Sequence, residues 1–162
     1  LMIKLWTEDK VNFKGKYYLV KDAVLEPKPI QKPYPPIWFG SNPKPGNRML
    51  KLTAQLGDGW IPLGPRWAST YTTPEAYKEA VRKIQLEMKT LKRHNKMTYA
   101  CLMGVSNDTE NFIREIEEYK AAGMGYFVLG LPLIQGGKFA KEVLPPSIEQ
   151  MSKFAKEVLP SF

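Results

Sequence analysis

The sequence predicts an α/β fold built of parallel strand–helix units. Three observations carry this reading. From residue 36 onward, short apolar runs alternate with amphipathic helical stretches. Each run ends at a glycine: Gly40, Gly64, Gly104 and Gly130. The run Phe127-Val128-Leu129 is continuously apolar, as in a strand covered on both faces.

The elements follow in order. Residues 1–6 read as the tail of a helix, and residues 11–13 and 17–20 flank Lys14-Gly15-Lys16 as a hairpin. Pro27, Pro29, Pro33, Pro35 and Pro36 then forbid helix and mark an extended lead-in. Residues 1–36 therefore read as an N-terminal extension and 37–162 as the strand–helix body. The first strand is Ile37-Trp38-Phe39, followed by a helix over 47–56 with Met49, Leu50, Thr53 and Leu56 on one face and Gly57 at its end. A strand over 59–63 precedes a long helix, where Thr73 caps, Pro74 takes the first helical position and Glu75 meets the positive end of the dipole. Tyr77, Ala80, Val81, Ile84, Met88 and Leu91 form its apolar stripe. A third strand spans 98–105, and the run 106–109 offers a cap for a helix to Ala122, with Phe112, Ile113, Ile116 and Tyr119 facing inward and Gly123 stopping it. The fourth strand covers 126–131, and a last helix from about Pro146 carries Ile148, Met151, Phe154, Ala155 and Val158. The stretch 138–145 recurs as 153–160, a single duplication and too short for a solenoid. Four strand–helix units equal half of an eight-unit barrel, or alternatively a small doubly wound sheet.

Composition narrows the function classes. The chain has 162 residues, enough for a sizeable core, and 43% of them are hydrophobic. Its net charge is +8, but the positives are spread along the chain. The densest group, Lys89, Lys92, Arg93, His94 and Lys96, follows a helix C-terminus, where cations suit the dipole, so no nucleic-acid partner is expected. No apolar run is long enough to span a bilayer and no signal-peptide pattern opens the chain, so the expected setting is cytoplasmic with no membrane partner. The single cysteine, Cys101, excludes an internal disulfide, and no metal-ligand spacing is present.

Ligands of parallel β/α folds sit where strands end. At the first such end, Gly40-Ser41-Asn42 offers close backbone approach and N–H groups for a phosphate, or else is a plain turn. At the second, Gly64-Pro65-Arg66-Trp67 offers a guanidinium for phosphate and an indole to wall an aromatic ring, or else is surface loop. His94 reads as a surface residue, Cys101 as packing, and Asp58 as a residue of the opposite, stabilising end. No catalytic residue is assigned.

The runs Gly15-Lys16-Tyr17-Tyr18, Pro27-Lys28-Pro29-Ile30-Gln31-Lys32-Pro33, Pro35-Pro36-Ile37-Trp38-Phe39-Gly40 and Leu56-Gly57-Asp58-Gly59-Trp60-Ile61-Pro62 occur in an order and spacing that resembles the second half of the luciferase-like monooxygenase superfamily. The end of the chain, 154–160, resembles that family's last helix. The resemblance implies a TIM-barrel type of fold, here a half barrel of four strand–helix units plus the hairpin extension. It implies an oxidoreductase that uses FMN or a deazaflavin coenzyme on a small organic substrate, by oxygen insertion or hydride transfer. It places phosphate contacts near Gly40, Ser41 and Asn42, to which the second strand end adds Gly64 and Arg66. Full-length members of that family carry four further units with much of the ring pocket, so the isolated chain is expected to hold an incomplete active site. Open strand edges then predict a homo-oligomer or pairing with a separate N-terminal half-barrel chain. The alternative is a non-catalytic flavin- or phosphate-binding or interaction subunit that completes a barrel with another chain.

Overall fold

The structure is a computed structural model that describes residues 1–43, 48–67, 70–106, 108–130 and 151–161. The chain divides into two compact units, Leu1–Pro36 and Ile37–Phe162.

In the first unit, helix α1 (Met2–Thr7) precedes an antiparallel hairpin of β1 (Val11–Lys14) and β2 (Leu19–Ala23). The second hairpin strand begins two residues later than the apolar run suggests: Tyr17 and Tyr18 lie in the turn, 80% and 69% exposed. The turn is tight because the Gly15 amide donates to the Tyr18 carbonyl at 2.8 Å, and a Cβ on Gly15 would meet the Phe13 ring at 2.7 Å. Lys28 ties the proline-rich stretch to α1 by donating to the carbonyls of Leu5 and Glu8 at 3.1 and 2.6 Å. Trp6 stacks on Tyr34 in the same unit.

The second unit is a four-stranded parallel sheet in the order β3 (Trp38–Gly40), β4 (Gly59–Ile61), β5 (Thr98–Gly104) and β6 (Tyr126–Gly130). Helices α2 (Arg48–Leu56), α3 (Pro74–Thr90) and α4 (Thr109–Ala121) connect successive strands. Spatial order follows chain order, with no reversal. That is the arrangement of a barrel sector and not of a doubly wound sheet, whose strand order reverses at a switch point.

The helices form because their ends and stripes agree. Thr73 accepts the Ala76 amide at 3.3 Å with Pro74 behind it, and Asp108 accepts the Asn111 amide at 3.0 Å. Gly123 leaves α4 at φ +105°, a conformation that favours glycine. Buried stripes follow the helical period: Leu50, Thr53 and Ala54 on α2; Tyr77, Ala80, Val81, Ile84 and Met88 on α3; Phe112, Ile116 and Tyr119 on α4. Three sequence expectations are corrected here. Met49 and Leu56 on α2 and Leu91 at the end of α3 are exposed, because each lies at a helix end or a step off the buried stripe. The position sought at Asn47 and the residues Leu131, Pro146 and Ile148, with the first copy of the duplicated stretch, lie outside the described residues. In the second copy, a π-helical turn, Phe154–Val158, buries Val158 and packs Phe154 against Phe112 and Phe127, while Met151 and Ala155 are exposed.

All three helices pack on one face of the sheet. Trp60, Cys101, Met103, Phe127 and Leu129 point into that helix-side core. By strand alternation the opposite face carries Ile61, Leu63, Leu102 and Val128, which are only half-buried. The expectation that Phe127-Val128-Leu129 is covered on both sides is therefore corrected: β6 is half-buried through its centre. On that half-buried face Trp38, the first residue of β3, meets Tyr126, the first residue of β6, edge to face at 5.6 Å. Gly59 makes room between them, since a Cβ there would lie 2.7 Å from the Trp38 ring. The two outer strands of the sheet thus touch through their side chains.

The N-terminal ends of the strands are joined at Asp58. Its carboxylate accepts the Ile37 amide at 2.9 Å and faces Arg93 at 3.5 Å and the Asn95 amide at 3.4 Å. Its backbone donates to Ile37 at 2.7 Å and accepts from Thr98 at 2.9 Å. Arg93 also donates to the Ala54 carbonyl at the end of α2. Replacing Asp58 by alanine keeps its backbone bonds but removes the charged acceptor of the Ile37 amide, Arg93 and Asn95. The expected loss is about 3 kcal/mol of unfolding free energy, read as a lower urea midpoint at unchanged slope, with Asp58→Asn losing less.

The core also dictates a pH dependence. Burial raises the phenols of Tyr77 and Tyr119 above their ordinary value and pushes the Cys101 thiol up to about 12. Tyr77 donates to the Ala100 carbonyl at 3.0 Å, and Tyr119 donates to the Thr72 carbonyl. These groups stay neutral in the fold but ionise in the unfolded chain, so the unfolded state binds fewer protons at alkaline pH. Stability is then fully present below the unfolded values and falls as pH rises through roughly 9 to 11. A urea midpoint that stays flat over that interval would contradict this assignment, and Tyr77→Phe is expected to flatten the decline.

Candidate functional site at the strand ends

The C-terminal ends of β3 to β6 converge on one mouth, and hydrogen bonds between loops fix it. Asn42, two residues past β3, accepts the Leu63 amide at 2.8 Å and donates to the Thr70 carbonyl at 3.2 Å. The Trp60 indole donates to the Ser41 carbonyl at 3.0 Å and to its hydroxyl oxygen at 3.3 Å. The loop after β3 is thereby tied to the loop after β4. The side chain of Asn42 holds the loop, while the Ser41 hydroxyl accepts from Trp60 and keeps its own proton to donate.

The four strand-end glycines differ in what surrounds them. A Cβ on Gly64 would meet Met103 at 2.7 Å and Cys101 at 2.8 Å, so that glycine serves packing. A Cβ on Gly104 would meet the Arg66 backbone at 2.7 Å, and one on Gly130 would meet the Trp67 ring at 2.3 Å. At Gly40 the only neighbour among the described residues would be the Ile61 carbonyl oxygen, 3.9 Å away. Of these four strand ends, Gly40 is the one where no described residue would clash with a Cβ.

Arg66 sits at φ +61°, unusual for a residue with a side chain. Its guanidinium forms a two-pronged pair with Glu115 of α4, 3.0 Å on one prong and 2.5 Å on the other. Its Nε donates to the Gly104 carbonyl at 3.1 Å, and the group lies 4.9 Å over the Phe112 ring. Three of its N–H groups are thus bound within the chain. Glu115, Gly104 and Gly130 complete this arrangement. The sequence marked the two glycines only as strand ends, and nothing in it pairs Glu115 with a residue 49 positions away.

The other candidates fall elsewhere. His94 is exposed beyond the C-terminus of α3, beside a groove of about 310 Å³ that Lys89, Arg93, Met97 and Tyr99 also line, next to the start of β5 and away from the mouth. Cys101 is fully buried in mid-strand with its thiol in the neutral form. Among the acidic groups near the mouth, Glu115 is held by Arg66 and Asp108 caps α4. Among the described residues no helix is long and apolar enough to cross a membrane.

The glycines make a direct prediction. Gly130→Ala is expected to displace the Trp67 ring and shift the tryptophan emission to the red while far-UV circular dichroism is kept. Gly40→Ala is expected to leave both signals as in the parent, because its Cβ would make only an ordinary contact, 3.9 Å from the Ile61 carbonyl oxygen.

Comparison with known proteins agrees with this fold. The luciferase-like monooxygenase family pattern matches residues 1–130. The chain is 36% identical over 72 residues to an F420-dependent glucose-6-phosphate dehydrogenase of Segniliparus rotundus, covering 44% of this chain and 20% of that protein. It is 35% identical over 72 residues to the enzyme of the same description from Amycolatopsis mediterranei, again 44% of this chain and 20% of the relative. It is 38% identical over 45 residues to an FMNH2-dependent dimethylsulfone monooxygenase of Pseudomonas putida, 28% of this chain and 12% of the relative. These alignments span a fifth or less of the relatives' lengths. Four parallel strands in chain order, with helices between them, and a family pattern over most of the sequence lead to one assignment: the chain belongs to the luciferase-like monooxygenase family.

Proposed function

We propose that this chain supplies the phosphate-holding strand ends of a flavin- or deazaflavin-dependent oxidoreductase. The observation that carries this is Gly40: it stands at the mouth where, among the described residues, a Cβ would meet only the Ile61 carbonyl oxygen at 3.9 Å without a clash, next to a serine hydroxyl that can still donate. Glycine lets a ligand approach the backbone, and a hydroxyl donor beside it suits a phosphate oxygen. The residues present therefore fit the phosphate end of such a cofactor. Similarity to F420- and FMNH2-dependent relatives supports the cofactor class.

In this reading Gly40 and Ser41 bind the phosphate and Asn42 holds their loop. Gly64 and Arg66 build the neighbouring loop. The cofactor supplies the hydride or oxygen chemistry when bound; this chain binds, orients and shields it. Ser41→Ala is expected to weaken FMN binding about tenfold, the loss of one hydrogen bond to a charged group, and to leave riboflavin, which has no phosphate, unaffected. Equal loss for both ligands, or no loss for either, would count against the phosphate assignment.

A second reading, an interaction subunit, is favoured by the sheet itself. Among the described residues β3 and β6 each have one unpaired edge, and the face between them is apolar and half-buried. We propose that further strands close this face, from a second copy or from a separate half-barrel chain. The expected result is a solution mass above that of the 18.5 kDa monomer, measured by light scattering, or a shift to larger mass when the partner half is added.

A further inference from the structure

The strand-end loop Pro65-Arg66-Trp67 takes an uncommon course. From β4 it crosses the end of β5, where Gly104 makes room for the Arg66 backbone, and reaches the end of β6, where Gly130 makes room for the Trp67 ring. Gly104 shares strand parity with Leu102, and Gly130 with Val128, so both glycines open toward the face opposite the helices α2, α3 and α4. The indole therefore rests on that face at the mouth and remains 42% exposed. A surface loop does not need two glycines cut to its shape, a positive-φ arginine and a two-pronged ion pair to keep it in place.

The ion pair is on the helix side of the sheet and the indole on the other, with the strap running between them. Arg66 is anchored by Glu115, by the Gly104 carbonyl and by the Phe112 ring. Its neighbour Trp67 has its inner edge against Gly130 and part of its surface open. A large, rigid aromatic surface, immobilised and partly bare at a ligand mouth, is suited to stacking a planar ring.

We infer that Trp67 is the ring-stacking wall of this mouth, for a planar heteroaromatic ligand of flavin type, and that Arg66 and Glu115 are positioning residues that hold it there. This rests on the cofactor reading above but adds a ring subsite separate from the phosphate subsite at Gly40 and Ser41. Arg66 then acts on the ring through Trp67.

The test uses the full chain and three probes: FMN, riboflavin and inorganic phosphate. The ligand signal is the flavin's own fluorescence, which stacking on an indole quenches. The parent chain is expected to bind FMN and riboflavin with quenching, and phosphate is expected to compete with FMN only. Trp67→Ala is expected to weaken both flavins about tenfold and abolish the quenching, with phosphate competition intact. Trp67→Phe, a milder change that keeps a ring, is expected to retain most of the affinity. Glu115→Gln is expected to weaken riboflavin binding when Trp67 is present and to add nothing in the Trp67→Ala background, a non-additivity that a merely structural role would not give. Circular dichroism and the urea midpoint establish that each variant is folded. Unchanged flavin affinity and quenching in folded Trp67→Ala, with Ser41→Ala still weakening FMN, would overturn the stacking wall and leave the phosphate reading standing. Failure of the parent chain to bind any flavin would overturn both.

Discussion

Asp58 accepts the Ile37 amide through its carboxylate, takes the Thr98 amide on its carbonyl and draws in Arg93 from beyond α3. One residue between two glycines thereby sets the relative heights of β3, β4 and β5. Gly57 and Gly59 permit this because side chains there would strike the Thr53 carbonyl oxygen at 2.8 Å and the Trp38 ring at 2.7 Å. With the strand starts fixed, parallel pairing carries the register upward: Trp38 lies beside Gly59 and Gly40 beside Ile61. The mouth at the far end exists because the near end is knotted. The packed helices alone would allow the strands to slide, since the hydrophobic contact is not directional.

The mouth is organised by what the chain fills and what it leaves free. Asn42 and Arg66 both point polar groups at backbone atoms of neighbouring loops, and so act as internal ties. Gly64, Gly104 and Gly130 are occupied from within the molecule, whereas no described residue crowds Gly40. The contrast separates a scaffold of ties and cut-outs from the small part proposed to meet a ligand: the Gly40–Ser41 backbone and hydroxyl, and the exposed side of Trp67.

Much of the fold was legible in the sequence because the relevant signals are local. Thr73-Pro74-Glu75 starts α3 as the capping rules require, Gly123 ends α4, and the 3.6-residue stripes on α3 and α4 are buried apart from their ends. Errors arose where burial depends on partners distant in sequence. Met49 and Leu56 are apolar but face away from the α2 stripe, and Phe127 to Leu129 are apolar along a strand that, among the described residues, has helices on one side. The site divided in the same way. Glycine at each strand end was visible, whereas the Arg66–Glu115 pair and the strap over Gly104 and Gly130 join segments that only the folded sheet brings together.

The ring contact between Trp38 and Tyr126 spans the sheet from its first strand to its last. It holds the curvature of the four strands within this unit alone. A sheet that is already bent presents its edges at a set separation, and strands added to those edges need not supply the work of bending it. The entropy of shaping the surface falls on folding and not on docking, which is the condition under which a modest apolar face can bind a closing partner tightly. The same contact sets a condition on any strand that would dock there. Two large rings already occupy that face at the level of the strand starts, so a strand laid across them would need small side chains at that level.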